Sequence, residues 1–246
     1  MDRRIKIFDV LINDLSYADL ELAITKSILA KRKLIIGYCT AHKLNLAYSN
    51  TSLGKYLNRF DIIHTDGVGV LLASKFLYGS SGLKHRITGS DFYPLLANEG
   101  IKKDWKFFFF GDTDETLKKI SSKNPLMKIA GALNGYNYEI DLVNKKINES
   151  AADILIVGLG SPLQEKWIID NKEKLNAKVI FAVGNGIKIF AGTRIRGPRF
   201  LQKLGFEWLV RLITNPTKMW RRYLIGIPQF LFRVLLQKIN KVKSNV

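Results

Sequence analysis

Acidic residues are scarce in this chain, cysteine occurs once, and no apolar run is long enough to cross a bilayer. Only 21 Asp and Glu stand against 39 Lys and Arg, a formal net charge of +18. That imbalance calls for an anionic partner: nucleic acid, an acidic membrane face or a phosphorylated substrate. The single cysteine, Cys39, excludes a disulfide within the chain and fits a reducing compartment. It closes the apolar run Leu34–Cys39 and is predicted to be a buried thiol. No long apolar region follows the charges of Met1–Lys6, so no signal peptide is expected. Tyr223–Leu236 gives only fourteen mainly apolar positions, interrupted by Pro228 and Arg233, too few for a span. No groove-reading or base-stacking module is recognisable, so nucleic acid is not the expected partner.

What the 246 residues do contain is enough for one large α/β domain, or one domain and a tail. Its centre is Asp61–Lys75, where an apolar run delivers Asp66 into a turn at Gly67 and Gly69 before the hydrophobic period becomes helical. In an open α/β sheet, chemistry gathers at such carboxyl ends of strands. Asp66 either serves that chemistry or caps the following helix, and position alone does not separate the two.

From the N-terminus, Ile5–Ile12 reads as a strand and Ser16–Asp19 as a capping box opening a helix to about Lys31. A second strand, Lys33–Thr40, leads into Thr40-Ala-His42 and a helical pattern with Leu44, Ala47 and Tyr48 on one face. If the strands are parallel, Thr40 and His42 fall at the same sheet end as Asp66. Ser80–Gly82 reads as an exposed loop, and Arg86–Asp91 leads into another helix, with Arg86 available to a phosphate or a surface carboxylate. Trp105–Phe110 and Lys128–Ala132 are further strands, with a helix from Asp114 to Ser121 between them and a turn at Asn134–Tyr136. The alternation predicts a mainly parallel sheet with helices on both faces.

A second informative stretch is Asp153–Trp167, a strand running into Gly158 and Gly160. Missing side chains there let a ligand approach the backbone, and Ser161 as N-cap with Pro162 at the first helical position predicts a clean helix start. Its free amides suit a nucleotide's phosphates or sugar. Ser161–Gln164 is equally a capping box, which would give Gln164 a local task, and the glycines lack the full dinucleotide or Walker spacing. Lys178–Val183 followed by Gly184–Gly186 repeats the strand-turn arrangement.

From Arg194 onward twelve basic residues face one acid, Glu207. Phe206, Trp208, Leu212, Met219, Trp220 and Tyr223 are interleaved with them, and Asn215-Pro216 marks a fresh helix start. Beyond Pro228 the polar positions Gln229, Arg233, Gln237 and Asn240 form a narrow stripe in an otherwise apolar helix. An interfacial helix on an anionic membrane fits this wide apolar face better than a helix docked on the core with a solvated basic side.

Several segments occur together in order: Thr40-x-His42, Asp61–Gly69, Arg86–Asp91, Val157–Trp167, Phe190–Gly192, Arg196–Pro198, Leu204–Leu212 and Arg221–Tyr223. In this combination the chain resembles the WecG/TagA/CpsF family of bacterial glycosyltransferases over nearly its whole length. The resemblance implies a Rossmann-like core over residues 1–195 and a basic, helical C-terminal appendage over 196–246, peripheral at the cytoplasmic face of the membrane. It implies transfer from a UDP-sugar to a polyprenyl-diphosphate-linked sugar with inversion, and no metal or other cofactor. Asp66 matches the family's proposed base. Thr40, Arg86 and Gln164 match pocket positions, and Arg211 and Arg221 match appendage arginines thought to close on the diphosphate.

Three positions depart from the family pattern: His42 for Asn, Lys218 for Arg, and Lys188 for Asp. A lysine keeps the charge of an arginine but loses its planar fork. With His42, Lys218, Gly158, Gly160 and Gly184 added, the expected binding set is complete. The expected reaction is N-acetylmannosamine transfer onto undecaprenyl-diphosphate N-acetylglucosamine for a wall teichoic acid-like polymer. Capsule or exopolysaccharide transfer of glucose, galactose or a uronic acid is the alternative, and a non-catalytic protein binding anionic lipid through its basic tail is the reading from another class. Self-association through the apolar tail is an open expectation.

Overall fold

The computed structural model describes residues 3–194, 197–198 and 207–243. Arg196, Arg199, Lys203 and Leu204–Phe206, part of the basic and family-like pattern, lie outside the described residues. Where a single strand is expected over Ile5–Ile12, two short strands form instead: β1, Arg4–Ile7, and β2, Val10–Asn13, paired antiparallel. Phe8 turns the chain between them at φ 54° and buries its ring against Tyr48 and Phe230, with centroids 5.1 and 5.8 Å away.

The main sheet has six strands, all parallel: β3, Leu34–Cys39; β4, Ile62–Thr65; β5, Lys106–Gly111; β6, Lys128–Leu133; β7, Ile154–Gly158; and β8, Val179–Ala182. Their spatial order is β4-β3-β8-β7-β5-β6. The period of two sends Phe108, Phe110, Leu155 and Val157 to one face and Phe107, Phe109, Ile154 and Ile156 to the other. Both faces are therefore apolar and both are covered, as a parallel sheet requires.

One cover comprises α1, Tyr17–Leu29; α5, Gly89–Lys102; α6, Asp114–Lys123; and the short α9, Ile187–Phe190. The opposite cover comprises α2, Ala41–Ser49; α3, Thr51–Asn58; α4, Val68–Tyr78; α7, Ile140–Glu149; and α8, Leu163–Asn171. Ser16 and Asp19 make the expected capping box of α1. Helix α7 has little signal in the sequence; its apolar stripe is only Val143 and Ile147, beside the buried polar Asn144, in a charged segment.

The C-terminal region forms α10, Glu207–Thr214; α11, Pro216–Trp220; one π-helical turn, Arg221–Ile225; and α12, Gly226–Lys243. Helix α12 docks on the second cover. Phe230 and Val234 join its core, and Arg233 donates to the backbone and side-chain oxygens of Asn45, each at 3.0 Å, and to Ser49. Gln237 accepts from the Phe8 amide at 2.9 Å. Two members of the polar stripe, Arg233 and Gln237, thus face the protein. Leu231, Phe232, Leu235 and Ile239 are exposed on the same helix, so docking and an outward apolar face coexist. Among the described residues no helix is long and apolar enough to cross a membrane.

Candidate active site

Because the six strands are parallel, their carboxyl ends deliver Thr40, Asp66, Asp112, Gly158 and Gly184 to one edge. The Asp66 amide donates to the carbonyl of Cys39 at 2.8 Å, extending the β3–β4 register by one residue. Gly67 then takes φ 103°, a conformation costly for any residue with a Cβ, and becomes the N-cap of α4 with no side-chain cap. Asp66 therefore does not cap the helix; its side chain lines a cavity. The Ile87 amide donates to the Thr65 carbonyl at 2.9 Å, which sets Arg86 beside that same strand end.

Two cavities share this edge. The first, about 330 Å³, is lined by Asp66, Arg86 and Thr88 from the core and by Trp208, Arg211, Tyr223, Ile227, Phe230 and Leu231 from the C-terminal helices. The second, about 230 Å³, is polar and runs past Tyr38, Lys43, Asp112, Tyr136, Gly158–Ser161, Gly184 and Asn185. Thr40, His42 and Arg222 line both, so they form the wall through which a ligand spanning the cavities must pass.

Burial pushes the Asp66 carboxyl above its ordinary range, and the positive charges of Arg194, Arg211, Arg222 and Arg86 only partly offset this. A carboxylate in that state is a stronger base than a solvated one, yet the surrounding guanidinium groups still favour its charge. His42 is driven the other way, to about 4, by burial and then by Arg222 and Lys43. It is a neutral imidazole at pH 7, able to donate and accept one hydrogen bond each.

The glycine turns divide their tasks. A Cβ on Gly158 would stand 3.1 Å from the Gly184 carbonyl and from Ile187, so its missing side chain serves the packing of two strand ends. Gly160, at φ 81° with open space around it, leaves the backbone free to meet a ligand. Helix α8 begins at Leu163, one residue later than expected, with Pro162 in the cap position. Ser161 does not cap it; the hydroxyl donates to Glu165 Oε1 at 2.8 Å. Gln164 is fully buried, donates to the same Oε1 at 2.8 Å and accepts from the Gly184 amide at 2.9 Å. It lines neither cavity and ties the two glycine turns together from beneath.

Glu165 Oε1 also meets Lys43 Nζ at 2.8 Å, with both side chains closed to solvent. Burial raises the Glu165 carboxyl, but Lys43, Gln164 and Ser161 outweigh it and the net direction is down. The Lys43 ammonium lies 3.7 Å from the centre of the Tyr38 ring. This buried network fastens α2, which carries His42, to the β7 and β8 turns.

Thr40, His42, Asp66, Arg86, Gly158, Gly160, Gly184 and Arg211 are thus brought together. Lys218 and Arg221 are not: both are exposed and line neither cavity. Arg222 occupies that place because the π-helical turn, with the Gly226 amide bonded back to the Arg221 carbonyl, shifts the helical phase. Lys188 stands 3.7 Å from the Asp112 carboxylate. Arg222, Lys43, Glu165 and Asp112 were missed; a charged pair at Lys43 and Glu165 on otherwise apolar helix faces was the one available signal. Among the described residues no three His, Cys, Asp or Glu side chains gather as a metal site.

A family model described as Glycosyl transferase WecG/TagA/CpsF matches residues 5–244. The N-acetylglucosaminyldiphosphoundecaprenol N-acetyl-beta-D-mannosaminyltransferase of Bacillus subtilis (strain 168) is 34% identical over 189 residues, 75% of this chain and 72% of that protein. The protein of the same name from Bacillus spizizenii is 32% identical over 81% of this chain and 77% of its own. That from Staphylococcus aureus (strain MRSA252) is 29% identical over 85% and 80%.

Proposed function

Since the chain belongs to the WecG/TagA/CpsF family of glycosyltransferases, we propose that it moves N-acetylmannosamine from UDP to N-acetylglucosamine carried on undecaprenyl diphosphate. The observation that carries this reading is Asp66, a carboxylate of raised pKa in a cavity ringed by Arg86, Arg211 and Arg222. Asp66 takes the proton from the acceptor hydroxyl as that oxygen attacks the anomeric carbon from the face opposite UDP. The bond from the anomeric carbon to the diphosphate oxygen breaks with inversion, and UDP leaves with the electron pair. The leaving group gains charge, which Arg222, in the wall shared by the two cavities, meets as a charged donor, so the proposed reaction needs no metal or other cofactor. The donor occupies the polar cavity, the acceptor sugar the cavity beside Asp66, and the transferred sugar passes Thr40 and His42.

The acceptor's lipid fits the same arrangement. Leu72 and Leu231 at the rim of the first cavity and Phe76, Leu224, Ile225 and Phe232 beyond it are exposed, and the C-terminal helices carry Lys218, Arg221 and Lys238 beside them. Apolar groups at the acyl boundary and cations at anionic headgroups hold the protein peripherally at the membrane, with the acceptor cavity facing it.

Transfer from a panel of UDP-sugars to a short-chain lipid-diphosphate N-acetylglucosamine, measured with EDTA present, tests the reading. Transfer of N-acetylmannosamine is expected, falling by roughly 10² or more in Asp66→Asn with UDP binding retained. The acid limb of the wild-type rate should lie above the ordinary carboxylate range, because the base works only once ionised and its pKa is raised. Transfer of glucose, galactose or a uronic acid would assign the capsule or exopolysaccharide branch. Undiminished turnover in Asp66→Asn would remove Asp66 as the base.

A further inference from the structure

Arg86 stands on a part of the chain that no helix or strand supports. Residues 83–88 run between α4 and α5 without regular structure, yet Arg86 and Thr88 line the cavity that holds Asp66. Their backbone is fixed instead by groups reaching in from other elements. The Leu83 amide donates to Ser74 Oγ at 2.9 Å, and the Ile87 amide to the Thr65 carbonyl at 2.9 Å. Those of Lys84 and His85 both donate to Asp14 Oδ1, at 2.9 and 3.1 Å, and that of Thr88 donates to the Tyr17 hydroxyl at 3.1 Å. We propose that Asp14, in the turn between β2 and α1, is a positioning residue of the transfer reaction, its carboxylate setting Arg86 beside Asp66 by holding the two amides before it. This rests on the glycosyl-transfer reading above and concerns a residue that lines neither cavity.

The same turn is anchored to the strand that carries Asp66. β4 is an edge strand, paired with β3 on one side only, so its outer amides need partners from outside the ladder. Asn13 supplies one: its Oδ1 accepts from the buried Ile63 amide at 2.9 Å. Asn13, Asp14 and Tyr17 thus tie the strand of the proposed base and the segment of Arg86 to one turn, and the spacing of Asp66 and Arg86 becomes a property of that turn.

The surroundings of Asp14 suit it to this task. Its side chain is 4% exposed, its amide donates to the Arg3 carbonyl at 3.1 Å, and the Arg3 guanidinium and the His85 ring stand 3.5 and 3.2 Å from its oxygens. Burial raises the carboxyl, but the Lys84 and His85 amides and the His85 ring outweigh it and the net direction is down. The anion, the stronger acceptor, is therefore the form that holds the segment at neutral pH. Arg86 in turn acts on the proposed base: against the burial that raises Asp66, it is one of four guanidinium groups favouring the charged form. A displacement of about 1 Å in such a group costs rate out of proportion to the distance.

Transfer kinetics of the full chain with the short-chain acceptor, measured beside hydrogen exchange over residues 83–88, tests the role. Asp14→Ala should lower kcat/KM per folded molecule by about tenfold to a hundredfold and speed exchange of the Lys84 and His85 amides by about tenfold or more. Asp14→Asn keeps an acceptor oxygen in the same place and should stay within about threefold of wild type in both measurements. Asp14→Glu keeps the charge but displaces the oxygen and should lose rate much as Asp14→Ala does, so this pair decides even if Asp14→Ala does not fold. In an Arg86→Ala background, Asp14→Ala should cost less than about threefold more, because the arginine it positions is already gone. Wild-type rates in Asp14→Ala, a loss in Asp14→Asn with none in Asp14→Glu, or an undiminished loss in the Arg86→Ala background would each overturn the role. A wild type that transfers no sugar would overturn the glycosyl-transfer reading, and the role with it, whatever the exchange rates.

Discussion

Arg222 faces both cavities while its neighbour Arg221 lies outside them, its guanidinium 5.2 Å from the Trp220 ring. The Arg222 Nε is buried with no hydrogen-bond partner among the described residues, in a wall shared with Thr40 and His42. A buried cationic donor left unpaired in a cavity wall is placed for an anion.

Arg222→Ala should therefore lower turnover at saturating donor by on the order of 10². Arg221→Ala and Lys218→Ala should stay within a few-fold of wild type. Steady-state kinetics of the three variants decides the matter, and an Arg221→Ala loss equal to that of Arg222→Ala would contradict the placement.

Lys43 and Glu165 form a closed ion pair under the polar cavity. Lys43→Met leaves the carboxylate buried without its countercharge, at a cost of about 3–5 kcal/mol in urea denaturation. Lys43→Met combined with Glu165→Gln should recover much of that, because no charge is stranded. If the double variant were as unstable as the single one, the pair would be contributing packing rather than charge compensation.

His64 precedes Thr65 and Asp66 on β4, is 1% exposed, and has no partner for either ring nitrogen among the described residues. Burial, aided by the charge of Lys43, lowers its pKa from 6.5 to about 4. The folded protein therefore binds fewer protons here than the unfolded chain between those two values. This contribution is complete above pH 6.5 and fades as the pH falls toward 4, by on the order of a few kcal/mol. Asp66, with its raised pKa, acts in the opposite direction, so the comparison must be made against His64→Leu. Melting temperatures between pH 7.5 and 4.5 should fall less steeply in that variant than in wild type.

Phe230 is 1% exposed and Phe232, two residues on, is 60% exposed. Phe230→Ala should cost about 3–5 kcal/mol of stability. Phe232→Ala should change stability by about 0.5 kcal/mol or less and reduce sedimentation with vesicles containing anionic phospholipid. Unchanged vesicle binding would remove Phe232 from the membrane-facing surface. Removal of residues 200–246 would uncover α2 and α4, so it is a poorer test of membrane attachment than this pair.

Most of the core was legible. Long apolar runs such as Phe107–Phe110 and Ile154–Val157 announce strands buried on both faces, and Ser16–Asp19 announces a helix start, because these signals are carried within a few residues. Helix α7 is hard to read for the converse reason, its apolar stripe being two side chains wide. The Ser161–Gln164 pattern misled because its side chains find long-range partners, Glu165 and Gly184, in place of the helix start.

Asp66 at the end of a strand, the glycine turns and the excess of positive charge in the last fifth of the chain follow from residue order alone, since covalent neighbours and local hydrophobic period set them. Which arginine enters the cavity, which face of α12 meets the core, and whether Gln164 touches ligand or scaffold do not. These depend on helical phase after a π-helical turn and on contacts such as Arg233 to Asn45 and Gln164 to Gly184, made between residues far apart in the chain. A single sequence carries no direct record of such contacts, because the groups that satisfy a buried polar atom are chosen by packing in three dimensions.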